Sequence, residues 1–191
     1  GSSVTRFKQG DRVGVGCMVD SCRTCSSCQT GQEHYSVPGF TGTYGGKDTK
    51  GGTGEAITQG GYSDHITVDQ HFVLSIPDAL PLDAAAPLLC AGVTTWSPLK
   101  EWKIGPESKV AAIGLGGLGH MAVKLAAALG AEVTVLSTSD RKKADAERMG
   151  ARHFLINSDK DAMKAAAEEF DLIINTVSAT EEVASHVHPL A

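Results

Sequence analysis

Two textures of apolar patterning succeed one another along the chain. Up to about residue 76, hydrophobic residues fall in short β-like runs, Val13 to Val19, Tyr62 to Val68 and Phe72 to Ile76, the last stopped by Pro77. The stretches between them are rich in Gly, Ser and Thr, most densely from Gly39 to Gly61. Short runs of β-branched and aromatic residues between turn formers predict a small all-β unit. Pro77 to Pro98 is a Pro- and Ala-containing stretch with a predicted helix near Asp83 to Thr94, and it is the expected junction between domains 1–80 and 81–191.

From Lys109 the period changes. Val110 to Ile113 is a buried-strand run, and behind it Leu118, Met121, Ala122, Leu125 and Leu129 recur at helical spacing until Gly130. Then come a strand at Glu132 to Ser137, a helix at Asp140 to Met149 stopped by Gly150, and a strand at His153 to Asn157. A helix at Asp159 to Phe170 and a fourth strand at Asp171 to Asn175 complete the series. Strands alternating with helices predict an α/β fold with a parallel sheet and right-handed crossovers.

Composition narrows the function classes. Of 191 residues 41% are hydrophobic and 20% charged, which excludes a disordered chain or a coiled coil. The balance of 17 Lys+Arg against 22 Asp+Glu leaves a net charge of −5, and no basic cluster stands out, so neither nucleic acid nor an anionic membrane is an expected partner. No apolar run reaches the roughly 20 residues of a membrane span, and a soluble protein is expected. The five cysteines, Cys17, Cys22, Cys25, Cys28 and Cys90, are odd in number, and three of them fall within seven residues. That spacing suits a metal better than a disulfide framework and places the chain in a reducing cytoplasm.

The first motif with chemistry is Gly114-Leu115-Gly116-Gly117-Leu118-Gly119, set between a predicted strand and a predicted helix. This is the context of a dinucleotide-binding turn: Gly114 permits the sharp turn, Gly116 admits the pyrophosphate close to the backbone, and Gly119 lets the helix pack on the sheet. The alternative is a glycine-rich turn with no ligand. The second strand ends in Ser137-Thr138-Ser139-Asp140-Arg141-Lys142 and lacks the acidic residue that would hold the free ribose hydroxyls of NAD. Hydroxyls followed by cations suit a 2′-phosphate, hence NADP(H), while a helix cap at Ser139 or Asp140 followed by a solvated basic turn is the plainer use of the same residues.

The second motif is Cys22-x-x-Cys25-x-x-Cys28, which calls for a fourth ligand to close a zinc site. Eight residues after Cys28 stands Ser36, a poor zinc ligand; His34, Glu33 or water are the other candidates, and three free thiols in a loop are the alternative to a metal. Cys90 lies in Pro87-Leu-Leu-Cys90-Ala-Gly-Val-Thr94, where composition alone suggests a small buried hydrophobe. His65, His71, His120 and His153 have no ligand-like spacing, His186 and His188 are expected on a solvated helix, and Trp96 and Trp102 read as packing residues.

These motifs together carry a resemblance. Gly10-Asp-Arg-Val-Gly-Val-Gly16, the cysteine triplet, Gly60-Gly-Tyr-Ser63, Ala86-Pro-Leu-Leu-Cys-Ala-Gly-Val-Thr94 and the Gly114 turn occur in the order seen in zinc-dependent medium-chain alcohol dehydrogenases. The chain resembles most the cinnamyl-alcohol-dehydrogenase-like branch of NADP-dependent aldehyde reductases. The resemblance implies a partial GroES-like β domain over 1–80 and a partial Rossmann domain over 81–191. Cys22, Cys25 and Cys28 then match three of four ligands of a structural zinc, with Ser36 where the fourth cysteine belongs. Cys90 matches the last ligand of the catalytic zinc. Thr94, Gly114 to Gly119 and Thr176 match cofactor-contacting positions, and Ser137, Thr138, Ser139 and Lys142 match the 2′-phosphate pocket.

The implied reaction is reversible hydride transfer between NADPH and an aldehyde, with zinc polarising the carbonyl, in a family of homodimers. The family's Gly-His-Glu zinc motif does not occur in this sequence. The chain therefore resembles an internal portion of such an enzyme, for which little or no reductase activity is expected. The alternatives are an NADP(H)-binding fragment without turnover and, more remotely, a zinc-free quinone reductase of the same superfamily.

Overall fold

A computed structural model of the chain describes residues 1–48, 57–61 and 63–178. It divides into two compact units, Gly1–Cys90 and Ala91 onward.

The first unit is built from short antiparallel pairs. Strand β1 (Val13–Val15) is followed by β2 (Met18–Asp20), a single-turn helix α1 (Ser26–Gln29), β3 (Thr41–Gly42), β4 (Val73–Ser75) and helix α2 (Leu82–Ala85). β1 pairs with β4, Val13 opposite Ser75, and β2 pairs with β3. The run expected from Val13 to Val19 is thus two strands in different sheets. The break has a local cause: the carbonyl of Gly16 accepts from Thr43 Oγ1 at 2.6 Å and that of Cys17 from Thr43 N at 3.0 Å, which draws the backbone away from β4 toward β3. Gly14 leaves room for Leu89: a Cβ there would lie 2.5 Å from a Leu89 methyl, which would have to swing aside.

Two further expectations are corrected in this unit. Residues 63–68 of the run predicted from Tyr62 to Val68 form no strand; Ser63 Oγ instead donates to the carbonyl of His65 at 2.8 Å and closes a local turn (Tyr62 lies outside the described residues). The helix predicted near Asp83 to Thr94 is broken. After α2 the chain tightens into a 3-10 turn over Ala86–Leu89 that contains Pro87, which has no N–H to continue a helix. Cys90 then leaves helical geometry altogether, at φ −127° and ψ −75°.

The second unit opens on helix α3 (Ala91–Glu101) and alternates β5 (Lys109–Ile113), α4 (Gly117–Ala128), β6 (Glu132–Ser137), α5 (Lys143–Arg148), β7 (His153–Ile156), α6 (Lys160–Ala165) and β8 (Leu172–Asn175). The four strands are parallel in the order β7-β6-β5-β8. Their residues are apolar on both faces, as a covered parallel sheet requires. Val110, Ala112, Val133 and Val135 pack with Ala122, Val123 and Ala126 of α4, while Ala111, Ile113 and Leu136 form a second cluster on the opposite face.

The helices are shorter than their periodicity predicts. Asp140–Lys142 is a 3-10 turn ahead of α5, and neither Ser139 nor Lys142 provides a side-chain cap. α6 ends at Ala165, and Glu168 beyond it has φ +62°, which a continuing helix cannot accommodate. Trp96 and Trp102, expected to pack, are 39% and 60% exposed; the α3 side chain that enters the core is Leu99.

Candidate functional site

The Gly114 turn sits where the parallel sheet opens at the carboxyl ends of β5 and β6, the position at which such sheets bind ligands. Gly114 has φ +82°, a conformation that favours glycine, and its N–H donates to the carbonyl of Leu136 at 2.9 Å. Gly119 is pressed against the turn: a Cβ there would fall 2.1 Å from the carbonyl oxygen of Gly114. Gly116 is the opposite case. It caps α4 with no side chain on the helix N-terminus, a Cβ built on it meets nothing within 4 Å, and it lines a cleft of about 350 Å³. The N-terminal end of a 12-residue helix thus lies beside an open space, an arrangement that favours an anion.

The rim of that cleft is formed by Ser137, Thr138 and Ser139 together with Arg141 and Lys142. Three hydroxyls and two cations thus stand beside the glycine turn, with no carboxylate among the described lining residues. Lys142 Nζ donates to the carbonyl of Leu115 at 2.8 Å, so this cation is tied to the backbone of the turn. Thr176 also serves the turn: its hydroxyl donates to the carbonyl of Ile113 at 2.8 Å, and the neighbouring Val177 lines the cleft. Gly117 and Leu118 already belong to the helix, whose first two residues they are. Thr94 lies in the first turn of α3, on its exposed side.

Two polar lining residues, Arg141 and Asn157, were not singled out as site residues by the pattern reading. Arg141 lies inside the basic run but has no signal separating it from a solvated arginine. Asn157, which follows β7, also lines the cleft, and its Oδ1 is buried with no hydrogen-bond partner among the described residues. The open cradle at Gly116, with hydroxyls and cations beside it, fits a dinucleotide seated across the turn.

In the first unit the sulfur atoms of Cys22, Cys25 and Cys28 all lie within 4.8 Å of one another. The Cys22–Cys28 and Cys25–Cys28 separations are 3.7 and 3.5 Å, far longer than a disulfide. The loop folds around the sulfurs through backbone donors, Cys25 N to Cys22 Sγ at 3.3 Å and Val37 N to Cys25 Sγ at 3.4 Å. Hydrogen bonds from the Ser36 hydroxyl and then from the backbone N–H groups of Thr24 and Cys25 push the Cys22 thiol down to about 5, and those from Val37 and Cys28 lower Cys25. Neither Glu33 nor His34 joins the cluster. Glu33 is engaged by His71 Nε2 at 2.8 Å, and His34 stacks on Tyr35 at 4.1 Å.

The loop is braced from below by Arg23, held at φ +59°. Its guanidinium bonds Asp20 Oδ1 at 2.9 and 3.1 Å and Asp69 Oδ2 at 2.9 Å, which ties the loop to the turn before β4. Cys90 is exposed and stands beside Cys17, whose thiol is pushed up by the hydrogen bond to Cys90 and by burial. Among the described residues no His, Asp or Glu is grouped with these two cysteines.

Comparison with known proteins gives these features a common source. Residues 1–78 match the model of the alcohol dehydrogenase GroES-like domain, and residues 117–190 match that of the zinc-binding dehydrogenase. The chain is 56% identical over 188 residues to the NADP-dependent alcohol dehydrogenase C 1 of Mycolicibacterium smegmatis, covering 98% of this chain and 53% of that protein. The chain belongs to the zinc-dependent medium-chain alcohol dehydrogenases. Within this family it is similar to a solved cinnamyl alcohol dehydrogenase from Sorghum bicolor, at 49% identity and a TM-score of 0.92, over 100% of this chain and 54% of that one. It is also similar to CAD from Helicobacter pylori complexed with NADP(H), at 42% identity and a TM-score of 0.90, over 100% of this chain and 53% of that one. The chain spans about half the length of the relatives it matches. A partial GroES-like β domain followed by a partial Rossmann domain is therefore its fold.

Proposed function

We propose that this chain is the NADP(H)-holding portion, with part of the GroES-like portion, of an oxidoreductase that interconverts aldehydes and primary alcohols. The observation that carries this reading is the cleft at the Gly114 turn, with hydroxyls and cations on its rim. When bound, the dinucleotide supplies or accepts the hydride. The chain's own part is to hold it: Gly116 leaves room for the pyrophosphate, the α4 N-terminus meets its charge, and Ser137, Thr138, Ser139 and Lys142 receive the 2′-phosphate. Leu115, Gly117, Leu118 and Gly119 shape the turn, Thr176 fixes it from the end of β8, and Thr94 is assigned to the cofactor from α3. Relatives named as NADP-dependent dehydrogenases support the choice of NADP(H).

The cysteine triplet is assigned to a zinc ion. Cys90 is the residue expected at a catalytic zinc, but only Cys17 stands beside it, so the described residues do not make up a catalytic metal site. That observation favours a second reading for the 191-residue chain by itself, NADP(H) binding without turnover. The proposal also carries a cytoplasmic setting, for which five free cysteines speak, a small-molecule substrate, and homodimeric assembly as in the family. No described helix is long and apolar enough to cross a membrane.

The test is a calorimetric titration with NADPH and NADH, repeated on Ser137→Asp. Wild type should prefer NADPH, and the carboxylate should lower the NADPH-to-NADH affinity ratio by about 10- to 100-fold, the worth of a hydrogen bond to a charged group. An unchanged ratio refutes the assignment of the rim to the 2′-phosphate. Following NADPH consumption with cinnamaldehyde in the same samples separates the two readings, since binding without consumption supports the second.

A further inference from the structure

We infer that the metal site of the cysteine loop is a three-sulfur, one-oxygen site, with the hydroxyl of Ser36 at its fourth corner. The inference rests on the zinc reading of the triplet and concerns what completes it. A tetrahedral zinc with metal–sulfur bonds of about 2.3 Å places its sulfurs about 3.8 Å apart. The observed 3.7 and 3.5 Å separations therefore already lie near the edges of such a tetrahedron, and the backbone donors from Cys25 and Val37 hold the sulfurs in that arrangement. Three corners are built by the fold.

The fourth corner has few claimants. Glu33 is held by His71 and His34 lies against Tyr35, so neither carboxylate nor imidazole is offered. Ser36 is 7% exposed, and its hydroxyl sits beside Cys22, accepting from Cys22 N at 3.3 Å. Another nearby hydroxyl, that of Ser21, is engaged by Cys28, at 3.4 Å from its sulfur. Ser36 follows the 3-10 turn Glu33–Tyr35, which returns the chain to the loop so that Val37 N meets Cys25 Sγ. The same turn that supplies one of the backbone donors thereby brings the side chain at position 36 against the Cys22 end of the triplet.

The chemistry of that corner differs from a fourth thiolate. A neutral hydroxyl donates less charge than sulfur, and three thiolates leave the ion with one negative charge fewer around it. The ion is held less tightly, and the oxygen corner exchanges more readily with solvent than a sulfur would.

The experiment loads the chain with cobalt(II) as a spectroscopic probe and, separately, measures zinc affinity by chelator competition for wild type, Ser36→Cys, Ser36→Ala and Ser21→Ala. For Ser36→Cys the sulfur-to-cobalt charge-transfer intensity should rise by about one third, as a fourth thiolate joins three. Its ligand-field bands should move to longer wavelength. Zinc should bind at least about tenfold tighter, the scale on which changes around a metal act. Ser36→Ala should weaken binding with all three sulfurs retained, and Ser21→Ala, which removes only a hydrogen bond to Cys28, should keep the wild-type charge-transfer intensity and weaken binding less than Ser36→Ala does. A Ser36→Cys spectrum and affinity equal to wild type overturn the inference, as does a Ser21→Ala effect larger than that of Ser36→Ala. A wild-type chain that takes up neither metal overturns the zinc reading itself, a result distinguishable from the other two.

Discussion

The two glycines at the N-terminal end of α4, Gly116 and Gly119, should separate folding from cofactor binding. In Gly119→Ala the new Cβ would start 2.1 Å from the carbonyl oxygen of Gly114, where ordinary contact begins at 3.4 Å. The obstacle is backbone, so α4 and the turn must part by roughly the 1.3 Å difference, 3.4 minus 2.1. Forced overpacking of this kind costs about 1–3 kcal/mol, occasionally more, against which alanine regains up to about 1 kcal/mol of helix propensity. An approach this close to backbone belongs at the upper end of that range, so the expected net loss is about 2 kcal/mol, with cofactor binding weakened because the turn has moved. In Gly116→Ala the Cβ meets nothing in the protein but stands in the cleft, at a backbone conformation (φ −91°, ψ −162°) that alanine adopts freely. Stability should stay within about 0.5 kcal/mol of wild type, while NADPH binding is lost or severely reduced. Urea denaturation and calorimetric titration of the same two proteins make the comparison. A Gly119→Ala protein as stable as wild type would show that the turn and α4 are not packed as described. A Gly116→Ala protein that binds NADPH normally would remove the cleft from the cofactor's path.

Three other outcomes follow from contacts at the rim and around the cysteine loop. Lys142→Met should weaken NADPH by about tenfold and NADH by less, since it removes a cation from the rim as well as the bond to Leu115; equal losses for both cofactors would assign Lys142 to the turn alone. Arg23→Ala leaves the Asp20 carboxylate, 5% exposed, without its cation, and should cost about 1–3 kcal/mol in a denaturation measurement, discounted for the 38% exposure of Arg23; a loss under about 0.5 kcal/mol, the level of an ordinary surface change, would show that the brace is idle. The imidazole of His71 lowers Glu33, and the backbone N–H of His71 followed by Arg23 lowers Asp69. Groups held below their unfolded values contribute stability that is complete above those values and is lost as pH falls through the folded ones. Urea midpoints measured from about pH 6 to about pH 3 should therefore fall, and fall less steeply in a Glu33→Gln, Asp69→Asn protein; parallel slopes would refute the linkage.

How much of this was legible in the sequence depends on whether a pattern was local. The parallel sheet could be read because β5, β6 and β8 carry apolar residues at consecutive positions, a signal that needs no partner to interpret. The glycine turn was legible because each glycine answers a separate local demand. The β unit was less so. The split of Val13 to Val19 depends on Thr43, far along the chain, drawing the carbonyls of Gly16 and Cys17 to itself. The broken helix around Cys90 did have a visible cause in Pro87, but the alanine-rich composition around it masked the signal. Glu33 looked like a free carboxylate beside the cysteines until the fold brought His71 to it from 38 residues away. Asn157 carries no sequence signal at all, because what sets it apart is a buried oxygen left without a partner among the described residues.

The bond from Lys142 to the carbonyl of Leu115 bears on how this rim can change over evolutionary time. A substitution at Lys142 alters two things together, the charge offered to a phosphate and the support of the turn that every dinucleotide uses. Ser137, Thr138 and Ser139 line the same cleft from the end of β6 without that second duty in the contacts described. Drift in cofactor preference therefore has an easier path through the hydroxyls than through the lysine, and a lineage moving from one dinucleotide to the other would be expected to exchange the serines first.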